Sequence, residues 1–141
     1  MEQKIDRLWW VLRIALGVGP FLAGLDKFFN LLTDWTQYLS PVATSILPVS
    51  PQTFMYAVGV IEMIVGIAMF TRFTREAAYV AAVWLVAIAG NLLTMGMFFD
   101  VAVRDVEIAL AAFALAQLSE IRASAEDPEH SRLTFAASRH A

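Results

Sequence analysis

Residues 77–99 form an apolar run without a charged side chain, bounded by Glu76 and Asp100. A helix of about 20 apolar residues is long enough to cross the hydrocarbon core of a bilayer. Three further segments approach this length and hydrophobicity: residues 8–32, 53–70 and 106–121. The sequence therefore predicts an all-α membrane protein with four transmembrane helices.

The composition agrees with a membrane environment. Apolar residues make up 59% of the 141 residues and charged residues 16%, whereas soluble domains average roughly 45–50% and 25%. The net charge is only −3, and no basic patch with interleaved aromatic residues is present, so we expect no nucleic-acid partner. The lipid bilayer is the partner that this composition predicts.

Cysteine is absent, and both histidines, His130 and His140, lie in the polar C-terminal region. Disulfides, thiolate catalysis and iron–sulfur ligation within this chain are therefore excluded. We expect no metal site, and no cofactor bound through cysteine or histidine inside the membrane.

The longest connection, residues 33–52, contains Pro41, Pro48 and Pro51. Prolines at this spacing prevent one continuous helix, and Trp35 favours the headgroup level of a bilayer. We predict a folded, Pro-rich lid over one end of the bundle.

The other two connections, residues 71–76 and 100–105, are short, which favours antiparallel neighbours in an up-down-up-down four-helix bundle. The transmembrane domain is expected to comprise residues 1–123. The polar stretch 124–141 is predicted to be a disordered tail.

Lysine and arginine distribution predicts the orientation, because these residues are enriched in cytoplasmic loops. One end of the predicted bundle carries most of them: Lys4, Arg7, Arg72, Arg75, Arg122, Arg132 and Arg139. The opposite end has only Lys27 and Arg104 near it. Both termini are therefore expected on the cytoplasmic side, with the lid outside.

Ionisable residues inside a membrane are energetically costly and usually functional or paired. Glu62 falls near the middle of the second span. The remaining polar groups lie towards the lid end of the other spans: Asp26, Lys27, Asn91, Arg104 and Asp105. We expect these side chains to converge beneath the lid, with Glu62 deeper. The alternative is architectural, in which the charges form salt bridges between helices and Asn91 is a helix–helix hydrogen bond.

Several short motifs resemble those of the DoxX-like membrane proteins. They are Arg13–Gly17, Gly24–Phe28, Gly59–Glu62 with Gly66, Asn91–Leu93, and Arg104-Asp105 before an Ala/Leu-rich helix. The resemblance extends over about residues 8–118. It implies a four-helix bundle in the bacterial cytoplasmic membrane. It also implies a link to thiosulfate:quinone oxidoreductase and other membrane redox complexes. A thiol-relay role is rejected because the chain has no cysteine.

Three functions remain open at this point. In the first, the chain is a quinone-linked redox subunit: Lys27, Arg104 and Asn91 bind a quinone headgroup or a small anion, while Asp26, Glu62 and Asp105 exchange protons. In the second, it is a structural or assembly subunit of a larger membrane complex. The other subunits of that complex are membrane redox proteins or further copies of this chain. The third, a small proton-coupled transporter, is disfavoured because four helices show no inverted repeat.

Overall fold

The computed structural model describes residues 2–126, and this part of the chain is helical apart from its connections. It contains α1 (Glu2–Asp26), α2 (Pro41–Ile46), α3 (Pro51–Ala68), α4 (Thr74–Met95) and α5 (Phe99–Glu126), with a 3₁₀ helix at Trp35–Tyr38. Three stretches are long and apolar enough to cross a membrane: Gln3–Asp26, Pro51–Ala68 and Thr74–Met95. The predicted span 106–121 lies within α5. Most of the predicted tail, residues 127–141, lies outside the described residues.

The long helices are arranged as two pairs. Contacts between α1 and α3 and between α4 and α5 are extensive, whereas those between α1 and α5 and between α3 and α4 are much sparser. The segment between α1 and α3, residues 27–50, reaches both pairs, because its 3₁₀ helix contacts α3 and its α2 contacts α4. We call residues 27–50 the connecting segment.

Glycines set the distance between α1 and α3. A Cβ added at Gly24 would lie 2.5 Å from the carbonyl oxygen of Gly59, and one added at Gly66 would lie 2.6 Å from that of Gly17. Backbone therefore packs directly on backbone, which is how small residues let membrane helices approach closely. The order of these contacts shows that α1 and α3 run in opposite directions.

Alanines play the equivalent role between α4 and α5. Fully or nearly buried alanines lie on both helices: Ala77, Ala78, Ala81 and Ala89 on α4, and Ala102, Ala109, Ala112 and Ala116 on α5. Large apolar side chains instead point away from the helix contacts, as with Val83 and Leu110. This inverted distribution, with small residues inside and large apolar residues outside, suits a protein whose outer surface contacts lipid.

The first helix ends six residues before the predicted boundary at Leu32. The Asp26 carboxylate accepts hydrogen bonds from the backbone N–H groups of Leu31 and Leu32, each at 3.0 Å. Asn30 adopts a positive φ of 51°, the left-handed conformation in which helices commonly end. The apolar pattern continues past Asp26, but the chain turns back there because the aspartate satisfies the backbone donors of the turn.

The last turn also differs from the prediction. We expected a connection at residues 100–105, yet α5 begins at Phe99 and the turn is confined to residues 96–98. Gly96 and Phe98 both have positive φ, at 67° and 59°, so two left-handed residues reverse the chain within three positions. Arg104 and Asp105 consequently lie one to two turns inside a helix.

Candidate functional site

Lys27 and Glu62 form a buried ion pair between α1 and α3. Lys27 directly follows α1, and its Nζ lies 2.6 Å from Oε2 of Glu62. The two side chains are only 4% and 12% exposed. The contact between Gly24 and Gly59, on the adjoining helical turns, brings the two backbones close enough for the pair to form. Each charge compensates the desolvation of the other, without which neither would be stable in this environment.

Asp105 brings a second carboxylate from α5 to the same region. It is buried, and it lies close enough to both Lys27 and Glu62 for their charges to interact. The buried ammonium group of Lys27 therefore has Glu62 as its bonded partner and the charge of Asp105 nearby. Two carboxylates close together in a low-dielectric interior disfavour simultaneous ionisation, so Glu62 and Asp105 are coupled to each other.

Trp84 completes this arrangement from α4. Its indole N–H points towards the Glu62 carboxyl, but it lacks a partner at ordinary hydrogen-bond geometry. Among the described residues it is the one buried side-chain nitrogen or oxygen in that condition. A buried donor without an acceptor is unfavourable, so this position favours an additional acceptor atom. We call Lys27, Glu62, Trp84 and Asp105 the polar cluster.

Asp26 makes its hydrogen bonds to the connecting segment, although its charge also acts on Lys27. Besides the two backbone bonds, its carboxylate accepts a 2.9 Å hydrogen bond from Nε1 of Trp35. The Trp35 ring in turn covers Lys27, whose Nζ lies 3.8 Å from the ring centroid. Asp26 thus holds an aromatic ring over the lysine, and a cation–π contact adds to the ion pair.

Asn91 also binds the connecting segment. Its amide nitrogen donates to the carbonyl of Tyr38 at 2.6 Å, and its amide oxygen accepts from the N–H of Ser40 at 3.1 Å. The amide therefore ties α4 to the start of α2. The Tyr38 carbonyl and the Ser40 N–H lie where the prolines prevent a continuous helix, and Asn91 provides the hydrogen-bond partners that they would otherwise lack.

Replacing Asn91 with leucine is expected to loosen the connecting segment, because Tyr38 and Ser40 would each lose a partner at a cost of about 1–3 kcal/mol. Hydrogen exchange measured by mass spectrometry should show the amides of residues 35–46 exchanging about tenfold faster or more. Thr94→Val is the matched control, since the Thr94 hydroxyl bonds only within its own helix. Unchanged protection in the Asn91 variant would show that the amide does not anchor the segment.

Arg104 differs from the other predicted site residues in being exposed. Its side chain is 60% accessible, and its guanidinium lies 3.3 Å from Oδ1 of the buried Asp105. It therefore links the polar cluster to the surface of α5. Of the six predicted site residues, the structure brings Lys27, Glu62 and Asp105 together. Asp26 and Asn91 bind the connecting segment.

Trp35 and Trp84 are the site residues that sequence reasoning missed. Trp35 was expected to mark the membrane boundary, and its contacts with Asp26 and Lys27 depend on how the connecting segment folds back. Trp84 lies in an apolar run whose composition gives no indication of a polar role. Only its depth, similar to that of Glu62 in the predicted antiparallel arrangement, could have suggested it.

No group of three or more histidine, cysteine or acidic residues within residues 2–126 could hold a metal ion. The whole chain also lacks cysteine. The groups that the described site offers are therefore ones that exchange protons or form hydrogen bonds. Its chemistry is that of a lysine, two carboxylates and an indole donor.

Comparison with known proteins places these features in a family. A family model described as DoxX matches residues 8–97, which is more than half of the chain and includes most of α1 and all of α2, α3 and α4. No curated protein and no solved structure matches the chain. Together with the apolar helices, the family match indicates a multi-pass membrane protein.

Proposed function

This chain belongs to the DoxX family, and from that membership and the polar cluster we propose that it is a subunit of a quinone-linked redox system in the bacterial cytoplasmic membrane. The single observation that carries the proposal is the buried ion pair of Lys27 and Glu62, with the buried carboxylate of Asp105 near enough for its charge to act on both. Reduction of a quinone consumes protons as well as electrons. A buried amine with two acids can supply or accept those protons.

The proposed arrangement in the membrane has four antiparallel spans, with α5 as the fourth. Its support is the close packing of α5 along α4 and the concentration of lysine and arginine at one end of the bundle. Both termini would then be cytoplasmic, and residues 33–52 would form a Pro-rich lid on the opposite side. The polar cluster would lie beneath that lid.

Each residue of the cluster has a proposed role. Lys27 supplies positive charge to a developing quinol oxygen or to a small anion, and Arg104 supplies it from the surface of α5. Glu62 and Asp105 exchange protons, and Trp84 donates its unused N–H to an acceptor oxygen. Electrons come from a partner subunit or directly from a substrate, because cysteine is absent from the chain.

Glu62→Gln and Asp105→Asn test this role, because each removes a titratable proton while keeping side-chain size. We expect each to lower quinone-linked activity in vesicles containing the purified chain and its partner by 10²-fold or more, the usual contribution of general acid–base catalysis. Glu107→Gln is the matched control, since Glu107 is an exposed carboxylate two residues after Asp105 on the same helix. Unchanged activity in both cluster variants would refute the proposal.

A structural or assembly subunit is the second candidate. The observation that favours it is the ion pair itself, since Lys27 and Glu62 already compensate each other without a ligand. The double variant Lys27→Leu, Glu62→Leu separates the two candidates. If this variant still forms an intact partner complex with full quinone-linked activity, the assembly role is favoured. If the complex is intact but inactive, the redox role is favoured.

A further inference from the structure

One face of α5 carries charged side chains that the fold leaves exposed. Asp100, Arg104 and Glu107 follow one another at spacings of four and three residues, so they lie on the same side of the helix. Ala111 and Ala114 continue this side at the same spacing, the first partly exposed and the second exposed. We call these five residues the outer face of α5.

The packing of α5 against α4 determines the depth of the outer face. Ala102 shares a buried cluster with Leu92, near the end of α4, and Ala116 shares another with Ala77, near its start. Glu107 lies between these two levels, beside the central part of α4. Since α4 is long and apolar enough to cross a membrane, a helix packed along it lies at the same depth. Glu107 is therefore expected near the middle of the bilayer.

The charges of the outer face lack sufficient partners at this depth. Glu107 forms no hydrogen bond or ion pair with another side chain of residues 2–126. Arg104 contacts Asp105 through one nitrogen, which leaves most of its N–H donors available. An ionisable side chain that faces lipid at the bilayer centre is very unfavourable. The outer face therefore requires a polar surface from outside this chain.

The order of the charges makes the outer face complementary to a second copy of itself. Two copies inserted in the same orientation are related by a twofold axis along the membrane normal, so equal depths face each other. Arg104 of one copy then lies about 4.5 Å along the helix axis from Glu107 of the other, three residues at the helical rise. The arginine side chain can cover this offset, and the symmetry forms the same ion pair twice.

We propose that the outer face of α5 is the interface of a dimer, in which two copies of this chain pack α5 against α5. Ala111 and Ala114 allow the two helices to approach closely, as small residues do between membrane helices. The guanidinium of Arg104 has donors for both Asp105 and the carboxylate of the second copy. This inference rests on the proposed position of α5 as a fourth span, and not on the redox role.

Single cysteines can identify the interface, because the chain has no cysteine of its own. Ala114→Cys introduces a thiol on the outer face without changing its charges. Mild oxidation of membranes that contain the full chain should produce a disulfide-linked dimer, since Cα atoms within about 7 Å can be bridged. Ile64→Cys is the matched control, because Ile64 is 60% exposed on α3, in the other helix pair, and it should remain monomeric.

Charge variants in the Ala114→Cys background test the ion pairs. Glu107→Arg places like charges opposite each other and should lower the cross-linked fraction about tenfold, roughly the contribution of one interhelical hydrogen bond. Adding Arg104→Glu returns opposite signs to the pair and should restore the dimer. Glu107→Gln keeps two hydrogen-bonding atoms for Arg104 and should cross-link like the parent variant. If the doubly reversed chain does not fold, the loss of cross-linking in Glu107→Leu decides.

Equal cross-linking of Ala114→Cys and Ile64→Cys, or undiminished cross-linking in Glu107→Arg and Glu107→Leu, would overturn the proposal. Cross-linking of Ala114→Cys to a different polypeptide would assign the outer face to another subunit and overturn the dimer. A water-soluble maleimide separates this inference from the proposed fourth span. Slow labelling of the Ala114→Cys thiol without a dimer would overturn the second copy alone, whereas rapid labelling would place α5 in water and overturn both.

Discussion

Replacing Lys27 with methionine is expected to destabilise the folded chain by about 3–5 kcal/mol, because Glu62 would remain buried without its partner. The carboxyl could avoid this only by taking up a proton, which at pH 7 costs about 4 kcal/mol for an ordinary glutamate. Both routes therefore predict a loss of similar size. Thermal or denaturant unfolding in detergent measures it directly.

The double variant Lys27→Met, Glu62→Leu provides the decisive comparison. Replacing a whole buried ion pair with apolar residues is often neutral or stabilising, so most of the lost stability should return. Arg75→Gln is the exposed control, because the surface pair with Glu76 is half exposed on both sides and should contribute about 0–1 kcal/mol. A single Lys27 variant as stable as the wild type would mean that water solvates Glu62.

Gly24→Ala is the second substitution for which we expect a large effect. The new methyl group would meet the carbonyl oxygen of Gly59 at 2.5 Å, and backbone cannot move aside as a flexible side chain can. We expect a loss of about 1–3 kcal/mol or more, as in overpacked cores. Unfolding in detergent measures the loss, and separation of α1 from α3 should also weaken the Lys27–Glu62 pair.

Gly19→Ala is the matched control on the same helix. A Cβ at Gly19 meets nothing within 4 Å, so this variant should be neutral or gain about 0.5–1 kcal/mol from the better helix propensity of alanine. The same holds for Gly90→Ala on α4. Equal losses at Gly24 and Gly19 would contradict a backbone contact between α1 and α3.

The helices were predictable from the sequence because each depends on its own composition. An uncharged run such as residues 77–99 has few alternatives to a membrane helix, and α4 accounts for most of it. Helix ends were less predictable. The end of α1 at Asp26 depends on hydrogen bonds to Leu31, Leu32 and Trp35, and the turn at residues 96–98 depends on two left-handed residues that hydrophobicity does not reveal.

The site was predictable only where burial of charge forces a pairing. Glu62 required a counter-charge, and Lys27 was among the few cations at that end of the bundle, so their convergence follows from energetics. Asn91 carries no charge and could bind any polar neighbour. The role of Trp84 could not be predicted, because a tryptophan in an apolar run is ordinary. That its buried N–H lacks a hydrogen-bond partner can be seen only in the folded structure.

The four long helices contact one another unequally, so the weakest interface of the fold lies between the α1–α3 pair and the α4–α5 pair. Sliding α1 and α3 apart, or α4 from α5, would break tight glycine or alanine packing. Parting the two pairs, which separates α3 from α4 and α1 from α5, would break far fewer contacts. Lys27 and Glu62 would stay together on one side of this seam, while Trp84 and Asp105 would leave with the other. The charged interior would thus be opened sideways, towards molecules dissolved in the lipid.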